Sequence, residues 1–376
     1  MNSNLDNQKN YRIVCSENSW IEGDAVRQLQ QASVLPGIEY TVGLPDMHPG
    51  KCSPVGTAYM SKRVIYPTLI GNDVGCGVGL FSTQIKSKKI KRDKWIKKLK
   101  DLDQPFDGDL DKWRLAFRLD TSLHDMALGT IGGGNHFAEL QSIDKVADPD
   151  TFDAVGLDKN CLFILVHSGS RSMGDALLRK HTDRYGAKGL DADSNEARRY
   201  LEAHDKALKW AACNRALIAH RFGSSIHAEC TPVIDVCHNS VTRKSHDNGV
   251  FWLHRKGAAS SESDLVIIPG SRGSLTYLVK AKEDQEKNLW SLPHGAGRKW
   301  SRGSCKAKLR TRFQAKALIK TAIGSHVICE DKNLLYQEAP QAYKDIDAVI
   351  ADLIREDLIE VIAALKPIIT YKMRKN

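Results

Sequence analysis

Short apolar runs alternate with glycine-rich polar segments along the chain, and this alternation predicts a mixed α/β fold. Residues 11–15 and 55–66 have the pattern of short strands. Residues 161–166 are continuously apolar, which favours a strand buried on both faces. Residues 233–237 and 265–268 are further apolar runs of strand length. The chain therefore contains several strands that each end at a polar segment.

Helical periodicity separates these strands. The predicted helices are 20–32 with Ser19 as N-cap, 94–102, 194–222, 306–321 and 345–365, followed by a strand at 368–371. Arg215 is expected on a solvated flank of the long helix. Residues 43–50 contain two prolines and two glycines, which predicts an ordered loop that presents Asp46 and His48. Residues 103–113 are acidic and are also expected to form a loop.

Composition places the chain among soluble globular proteins, because 41% of its 376 residues are hydrophobic and 27% are charged. No apolar run approaches the length of a membrane span, and residues 1–6 lack the pattern of a signal peptide. We therefore expect a cytoplasmic protein that does not enter a membrane. Neither an internal repeat nor a clear linker divides the chain, so residues 1–376 are expected to form one domain.

The net charge of +10 favours an anionic partner. The basic residues are concentrated in two blocks, at 86–100 and 298–312. A solvated surface accounts for the first block. The second block directly follows a glycine-rich histidine segment at 292–298, so a nucleic-acid backbone is a fair interpretation there.

The nine cysteines are scattered, their number is odd, and none of them forms a C-x-x-C pair. The sequence therefore indicates neither a disulfide framework nor a zinc ribbon. Most of these thiols are expected to be reduced and buried.

Two glycine-rich segments carry potential metal ligands. Residues 71–79 contain four glycines around Asp73 and Cys76, and residues 129–139 contain three consecutive glycines just before His136. A carboxylate and a thiolate at this spacing can reach one ion, although Asp-x-x-Cys alone is weak evidence. Consecutive glycines cost conformational entropy, so a close approach of the backbone to a ligand is expected to offset that cost.

Three further histidines lie at informative places. His167 and His238 each follow an apolar strand, a placement that core histidines explain poorly. His294 is followed by Gly295, Ala296 and Gly297, whose backbone N–H groups suit an anion. A histidine in a phosphate cradle is either a phosphate donor or a nucleophile on phosphorus. The alternative is a turn with a buried histidine, and this segment alone favours neither interpretation.

Together these residues form a mixed oxygen, sulfur and nitrogen ligand set. Asp73, Cys76, His136, His167 and His238 suffice for two divalent ions if the thiolate bridges them. A carboxylate and a partly open coordination sphere suit Mn²⁺ or Zn²⁺. His294 is then left as the nucleophile.

The ordered motifs resemble those of the RtcB family of RNA-splicing and RNA-repair ligases, in a divergent bacterial branch. The matching segments are Pro-Asp-Met-His at 45–48, Asp-Val-Gly-Cys-Gly at 73–77, Gly-Gly-Gly-Asn-His-Phe at 132–137, His-Ser-Gly-Ser-Arg at 167–171, His-Asn at 238–239, His-Arg-Lys-Gly-Ala at 254–258, Pro-Gly-Ser at 269–271 and His-Gly-Ala-Gly-Arg at 294–298. They cover most of the chain, and jointly they are very specific.

The resemblance implies one large mixed-sheet domain of the RtcB type and a GTP-dependent joining of RNA ends. His294 would take guanylate from GTP and pass it to an RNA 3′-phosphate, and a 5′-hydroxyl end would then displace GMP. A 2′,3′-cyclic phosphate would first be opened to a 3′-phosphate. Asp46 would assist at the RNA-end step. The enzyme would act in the repair or splicing of tRNA, rRNA or other broken RNA, as a monomer, with a helper protein as an optional partner.

The resemblance also assigns ligands by motif position. Asp73, Cys76 and His136 would hold one Mn²⁺, and Cys76, His167 and His238 the other. The implied GTP or GMP contacts are Asn135, His136, Phe137, Ala138, Glu139, His238, Asn239, Pro269, Gly270, Ser271, Arg272, Thr276, His294, Gly295, Ala296, Gly297 and Lys372. The implied RNA contacts are Arg171, Arg255 and Arg298.

Three positions depart from the family pattern. Asn72 replaces an apolar residue, Arg272 replaces methionine and Thr276 replaces serine, which leaves RNA specificity open. Two other functions remain as alternatives. A metal-dependent RNA phosphoesterase that opens cyclic phosphates would need the metals but not His294. A non-catalytic RNA-binding homologue would be expected to have lost ligands, and none is missing.

Overall fold

The computed structural model describes residues 10–17, 19–246 and 249–374. Residues 1–6, where the sequence lacks a signal-peptide pattern, lie outside this part of the chain. The strands are β1 (Tyr11–Ile13), β2 (Ile38–His48), β3 (Val55–Ser61), β4 (Val64–Ile65), β5 (Gly77–Lys86), β6 (Phe137–Val146), β7 (Cys161–Ser168), β8 (Leu190–Asp191), β9 (Cys230–Cys237), β10 (Asn239–His246), β11 (Gly249–Lys256), β12 (Ala258–Ser260), β13 (Leu265–Pro269), β14 (Thr276–Ala281), β15 (Ser291–Pro293), β16 (His326–Cys329) and β17 (Ile359–Met373).

Helices lie between these strands. The α-helices are α1 (Gly23–Ser33), α2 (Arg92–Lys98), α3 (Leu110–Phe117), α4 (Pro149–Ala154), α5 (Ser172–Tyr185), α6 (Asn195–Ile226), α7 (Arg302–Arg310), α8 (Lys332–Gln337) and α9 (Ile346–Arg355). Short 3₁₀ turns cover Pro67–Leu69, Ser87–Lys89, Asp125–Ala127, Glu286–Asn288, Ala315–Leu318 and Pro340–Ala342. Among the helices of the described residues, none has the length and apolar character needed to cross a membrane.

Two larger sheets organise the fold. The first has the strand order β13-β14-β17-β6-β7-β5-β9, with β16 pairing in parallel beside β17. The second has the order β1-β2-β3-β11-β10. The two-stranded pairs β12–β15 and β4–β8 complete the pairing among these strands. The predicted mixed α/β class is confirmed.

Helix α6 covers the centre of the first sheet. Its residues Ile218 and Phe222 pack in one cluster with Ile164 and Val166 of β7, and all four side chains are fully buried. β7 is buried along its whole length, as its continuous apolar run predicts. Ser194 caps α6 by accepting a hydrogen bond from the N–H of Ala197 at 3.1 Å, which confirms the predicted start of this helix.

The N-terminal predictions need correction. Helix α1 begins at Gly23 after an N-cap at Glu22, and the hydroxyl of Ser19 instead donates to Asp352. The prediction of a loop at 43–50 is wrong for most of these residues, because β2 continues to His48. The pairing of β2 with β3 is irregular between Gly43 and His48, and this irregularity accommodates a proline within the strand.

Helix boundaries elsewhere also differ from the predicted ones. Helix α2 ends at Lys98, and α3 begins at Leu110 inside a predicted loop. The helix predicted at 306–321 ends at Arg310, and that predicted at 345–365 ends at Arg355. The residues that follow form β17, which lies between β14 and β6. Tertiary pairing in the middle of the sheet overrides the helical pattern there.

Arg215 was predicted on a solvated flank of α6, but the structure buries it. Its guanidinium donates to the carbonyl oxygens of Gly75 at 2.7 Å and Ser168 at 2.9 Å. It also pairs with the carboxylate of Asp235 at 2.7 Å. This one side chain therefore joins α6, β7, β9 and the segment that precedes β5.

Replacing Arg215 by methionine should lower the free energy of unfolding by about 3 kcal/mol, because two buried carbonyls and a carboxylate lose their partner. Denaturant unfolding followed by circular dichroism measures the change. Arg198→Met is the matched control, since Arg198 is exposed on the same helix and should cost at most about 0.5 kcal/mol. Equal stability of the two variants would contradict the assignment.

Candidate active site

The order of strands brings distant residues to one end of the first sheet. β6, β7, β5 and β9 are neighbours in antiparallel order, so the start of each strand adjoins the end of the next. Cys76 precedes β5 and His136 precedes β6, whereas His167 lies near the end of β7 and His238 follows β9. All four side chains therefore meet at that end.

The thiol of Cys76 is the centre of this group. Its Sγ atom lies 3.4 Å from Nε2 of His136 and 3.2 Å from Nε2 of His167. The ligand atoms of these three buried residues all lie within 4.8 Å of one another. The ring of His238 lies 5.1 Å from that of His167, between centroids, but His238 is not part of the compact triad.

Asp73 completes the group on the His136 side. Its Oδ2 atom lies 2.8 Å from Nε2 of His136, and its buried Oδ1 atom has no hydrogen-bond partner among the described residues. Gly169 permits this approach, because a Cβ there would come within 2.2 Å of Asp73. His136 is oriented by a 3.1 Å contact from Nδ1 to the carbonyl of Ile131, which leaves Nε2 directed at the group.

Burial sets the protonation of these residues. It lowers the pKa values of His167 and His238 well below the ordinary range, and each is lowered further by neighbouring imidazoles. Burial and the nearby Asp73 raise the pKa of the Cys76 thiol. Burial alone would raise the pKa of Asp73, but His136 offsets this and the net shift is downward. Two imidazoles that stay neutral, beside a carboxylate and a thiol, fit a divalent metal ion.

His294 lies beside this group, and the second sheet orients it. It follows β15, and its ring centroid is 5.0 Å from that of His238. Its Nδ1 atom lies 2.6 Å from Oδ2 of Asp46, a fully buried residue of β2. With Nδ1 against the carboxylate, Nε2 is the nitrogen left for chemistry. Gly297 has a φ of 71°, and a Cβ there would come within 2.1 Å of the Asp46 carbonyl.

One cavity of about 1320 Å³ is lined by Asp73, Cys76, His167, His238 and His294. Its wall includes most of the predicted guanylate contacts, namely Asn135, Phe137, Glu139, His238, Asn239, Pro269, Gly270, Ser271, Arg272, His294, Gly295, Ala296, Gly297 and Lys372. The remaining three, His136, Ala138 and Thr276, do not line it. Ala138 is packed in the core, and Thr276 accepts a 3.1 Å hydrogen bond from Gln141.

Comparisons with known proteins agree with this arrangement. The family model described as tRNA-splicing ligase RtcB matches residues 28–125 and 118–373. The chain belongs to the RtcB family. An RNA-splicing ligase RtcB2 of Escherichia coli strain ATCC 25922 is 44% identical over 96% of this chain and 94% of the relative.

More distant RtcB proteins align over similar spans. The RNA-splicing ligase RtcB of Escherichia coli K12 is 27% identical over 96% of this chain and its own full length. The tRNA-splicing ligase RtcB of Archaeoglobus fulgidus is 26% identical over 93% of this chain and 91% of that protein. The much higher identity to the RtcB2 protein agrees with the divergent branch that the departures from the family pattern suggest.

A buried polar network forms one part of the wall of this RtcB cavity. Glu139 accepts hydrogen bonds from Thr370 at 2.7 Å and from Gln141 at 2.8 Å. Burial raises the pKa of Glu139 and lowers the pKa of Lys372 to about 8. Lys372 donates to the carbonyl of Gly134 at 2.9 Å, so it joins the glycine-rich segment to β17.

The three arginines predicted to contact RNA differ in their surroundings. Arg255 is only 1% exposed and donates to Ser291 and to the carbonyl of Trp290, so a contact with RNA is not supported. Arg298 forms an ion pair within the protein, with 3.2 Å between its Nη1 atom and Oε1 of Glu338. Arg171 borders the metal-ligand group, and its buried Nε atom has no partner among the described residues.

Asn72 and Arg272, two of the positions that depart from the family pattern, lie in different environments. Asn72 is exposed and lies 3.5 Å from Asp175, between Nδ2 and Oδ1. Arg272 is buried and donates to the carbonyl of Leu335 at 2.9 Å. Its Nε and Nη1 atoms lack partners among the described residues.

Sequence reasoning missed several residues of the cavity wall. They include Lys256, Trp300, Glu338 and Thr370. Lys256 belongs to the His-Arg-Lys-Gly-Ala motif at 254–258, so the sequence contained a signal for this residue. The sequence around Glu338 contains no such signal, because the role of this carboxylate depends on its ion pair with Arg298, forty residues away in the chain.

Replacing Cys76 by alanine should weaken metal binding by about 100-fold or more, because the triad loses its only thiolate. A Co²⁺ titration that follows the thiolate charge-transfer absorption measures this loss. In the native chain, affinity should also rise from about pH 6 to about pH 8, since the metal must displace the thiol proton.

Cys52→Ala is the matched control, because Cys52 is an exposed thiol on the same cavity wall. This variant should retain both the affinity and its pH dependence. An equal loss in the two variants would rule out a specific role for Cys76.

Proposed function

We propose that this chain is a GTP-dependent RNA ligase that joins RNA 3′-phosphate or 2′,3′-cyclic phosphate ends to 5′-hydroxyl ends. The observation that carries the proposal is that His294, whose ring lies against Asp46, shares one cavity wall with Cys76 and His167 of the ligand triad. Membership of the RtcB family supports the same reaction.

The reaction proceeds through three covalent steps. Nε2 of His294 attacks the α-phosphorus of GTP, an N–P bond forms and pyrophosphate leaves. An oxygen of the RNA 3′-phosphate then attacks the same phosphorus, which breaks the N–P bond and frees His294. Finally, the 5′-hydroxyl of the second RNA end attacks the activated 3′-phosphate, loses its proton and displaces GMP. A cyclic phosphate would first consume one water molecule to give the 3′-phosphate.

Residues of this chain prepare the first step. The carboxylate of Asp46 accepts a hydrogen bond from the backbone N–H of His294 and lies 2.6 Å from Nδ1, where it stabilises the positive charge that develops on the imidazole when Nε2 attacks. The same contact keeps the ring in one orientation. Glu139 and Lys372 suit the base edge of the nucleotide, because both are buried on the cavity wall.

Two Mn²⁺ ions, with Zn²⁺ as a substitute, would occupy the ligand group. Asp73, Cys76 and His136 would hold one ion, and Cys76, His167 and His238 the other. When bound, these ions would neutralise charge on the phosphoryl oxygens. Arg171, next to Asp73, would contribute a further positive charge toward the RNA end.

The remaining parts of the proposal concern the whole molecule. Residues 1–376 would act as one ligase domain, as a monomer in the cytoplasm, with broken tRNA, rRNA or other RNA as substrate and a helper protein as an optional activator. A metal-dependent RNA phosphoesterase is the second candidate. The triad favours it as much as it favours a ligase, but the Asp46–His294 pair has no role in that reaction.

Incubation with α-labelled GTP and Mn²⁺ should give a protein-bound label that is acid-labile and alkali-stable, as expected of a phosphorus–nitrogen bond. His294→Ala should abolish the label because the nucleophile is absent. Cys76→Ala should abolish it because the metal ligands are incomplete. No label on a chain with metal demonstrably bound would eliminate the ligase and favour the phosphoesterase.

Asp46→Asn should slow guanylate transfer by about 100-fold, because an amide cannot stabilise the imidazolium as a carboxylate does. Single-turnover labelling measures the rate, and Co²⁺ affinity should remain unchanged. Asp24→Asn is the matched control, since Asp24 is an exposed carboxylate on the same cavity wall. A native labelling rate in Asp46→Asn would remove the proposed role of this carboxylate.

A further inference from the structure

Trp300 lies on the wall of the cavity that His294 also lines. Its side chain is partly exposed. The ammonium of Lys308 lies 4.8 Å from the centre of the indole, and that of Lys299 lies 5.8 Å from it. Two cations therefore lie over a partly exposed aromatic ring on the cavity wall.

The position of Trp300 is fixed by its backbone and by apolar packing. Its N–H donates to the carbonyl of Ala342 at 3.3 Å, and its own carbonyl accepts from Arg298 at 3.1 Å. The indole also packs against the apolar cluster that includes Cys305 and Leu309 of α7. A ring held in this way loses little further conformational freedom when a ligand stacks on it.

The surrounding charge extends away from the cavity. Helix α7 carries Arg302, Lys306, Lys308 and Arg310 and has no acidic residue. Lys299, Arg302, Lys308 and Arg310 are exposed. Aromatic rings beside a basic track are typical of sites for single-stranded nucleic acids, in which bases stack and cations follow the phosphates.

We propose that Trp300 is a stacking platform for a nucleobase of the RNA strand whose end reaches His294, with Lys308 and Lys299 binding the adjoining phosphates. The proposal rests on the proposed function for its RNA substrate. A strand is favoured over the nucleotide co-substrate because α7 continues the basic surface beyond the cavity. Glu139 and Lys372, by contrast, are nearly fully buried and suit a single base.

The experiment measures binding separately from chemistry. The probe is a single-stranded RNA of about ten nucleotides with a 3′-phosphate and a fluorescent label at its other end. Its affinity is measured by anisotropy without GTP or metal, and guanylate labelling is measured in parallel on the same preparations. Thermal unfolding verifies that each variant is folded.

Two substitutions at Trp300 distinguish stacking from packing. Trp300→Leu keeps an apolar side chain but removes the flat ring, so the dissociation constant should rise about tenfold. Trp300→Phe keeps a ring and should lose about threefold or less. Guanylate labelling should be native in both variants. Equal affinities in the leucine variant and the native chain would overturn the proposal, as would equal losses in both variants.

The lysine is tested through salt dependence. Lys308→Ala should reduce the slope of log affinity against log salt by about 0.7, the value for one phosphate contact on a single strand. Lys316→Ala is the matched control, because Lys316 is exposed outside the cavity and should leave the slope unchanged. The same change in both variants would show non-specific attraction and overturn the phosphate contact.

The experiments distinguish a wrong stacking proposal from a wrong ligase proposal. A native chain that binds the RNA through Trp300 but takes no label would refute the ligase and retain the platform. A chain that ligates normally, with a native affinity for RNA in Trp300→Leu, would refute the platform alone. A fall in guanylate labelling that accompanies Trp300→Leu would place the indole in the nucleotide subsite and overturn the proposal.

Discussion

The buried guanidinium of Arg215 is the constraint on which the metal-ligand group depends. It fixes the carbonyls of Gly75 and Ser168, the immediate neighbours of Cys76 and His167. Antiparallel pairing brings these residues to one end of the sheet, but pairing alone tolerates small shifts of a segment outside a strand. The arginine removes that freedom, because a charged donor this deep in the protein must keep its acceptors.

The two large sheets contribute different halves of the chemistry. The first sheet supplies the Cys76 triad, whereas β2 of the second supplies the carboxylate that orients His294. Glycine makes the junction possible, since a side chain at Gly297 would collide with the backbone of Asp46. Glycine is therefore required at this position because two segments that are distant in sequence come into close contact there.

Local pattern predicted the parts of this site that depend on short segments. The buried strand before His167 and the glycine frame around Cys76 were readable because strand burial and backbone crowding each leave a local signature. The helical pattern at 359–365 was misleading, because its place between β14 and β6 decides its conformation. The burial of Arg215 was missed for a related reason, since its partner Asp235 comes from a remote strand.

Burial also ties metal binding to the stability of the fold. His167 and His238 are held where protonation is unfavourable, and the Oδ1 atom of Asp73 lies buried without a partner among the described residues. The buried Asp73 oxygen lowers stability, and the two histidines lower it as the pH falls below the pKa of an unfolded histidine. An ion that binds only the folded chain offsets these losses. The fold therefore presents His167 and His238 already deprotonated, whereas burial keeps the Cys76 thiol protonated until a metal replaces the proton.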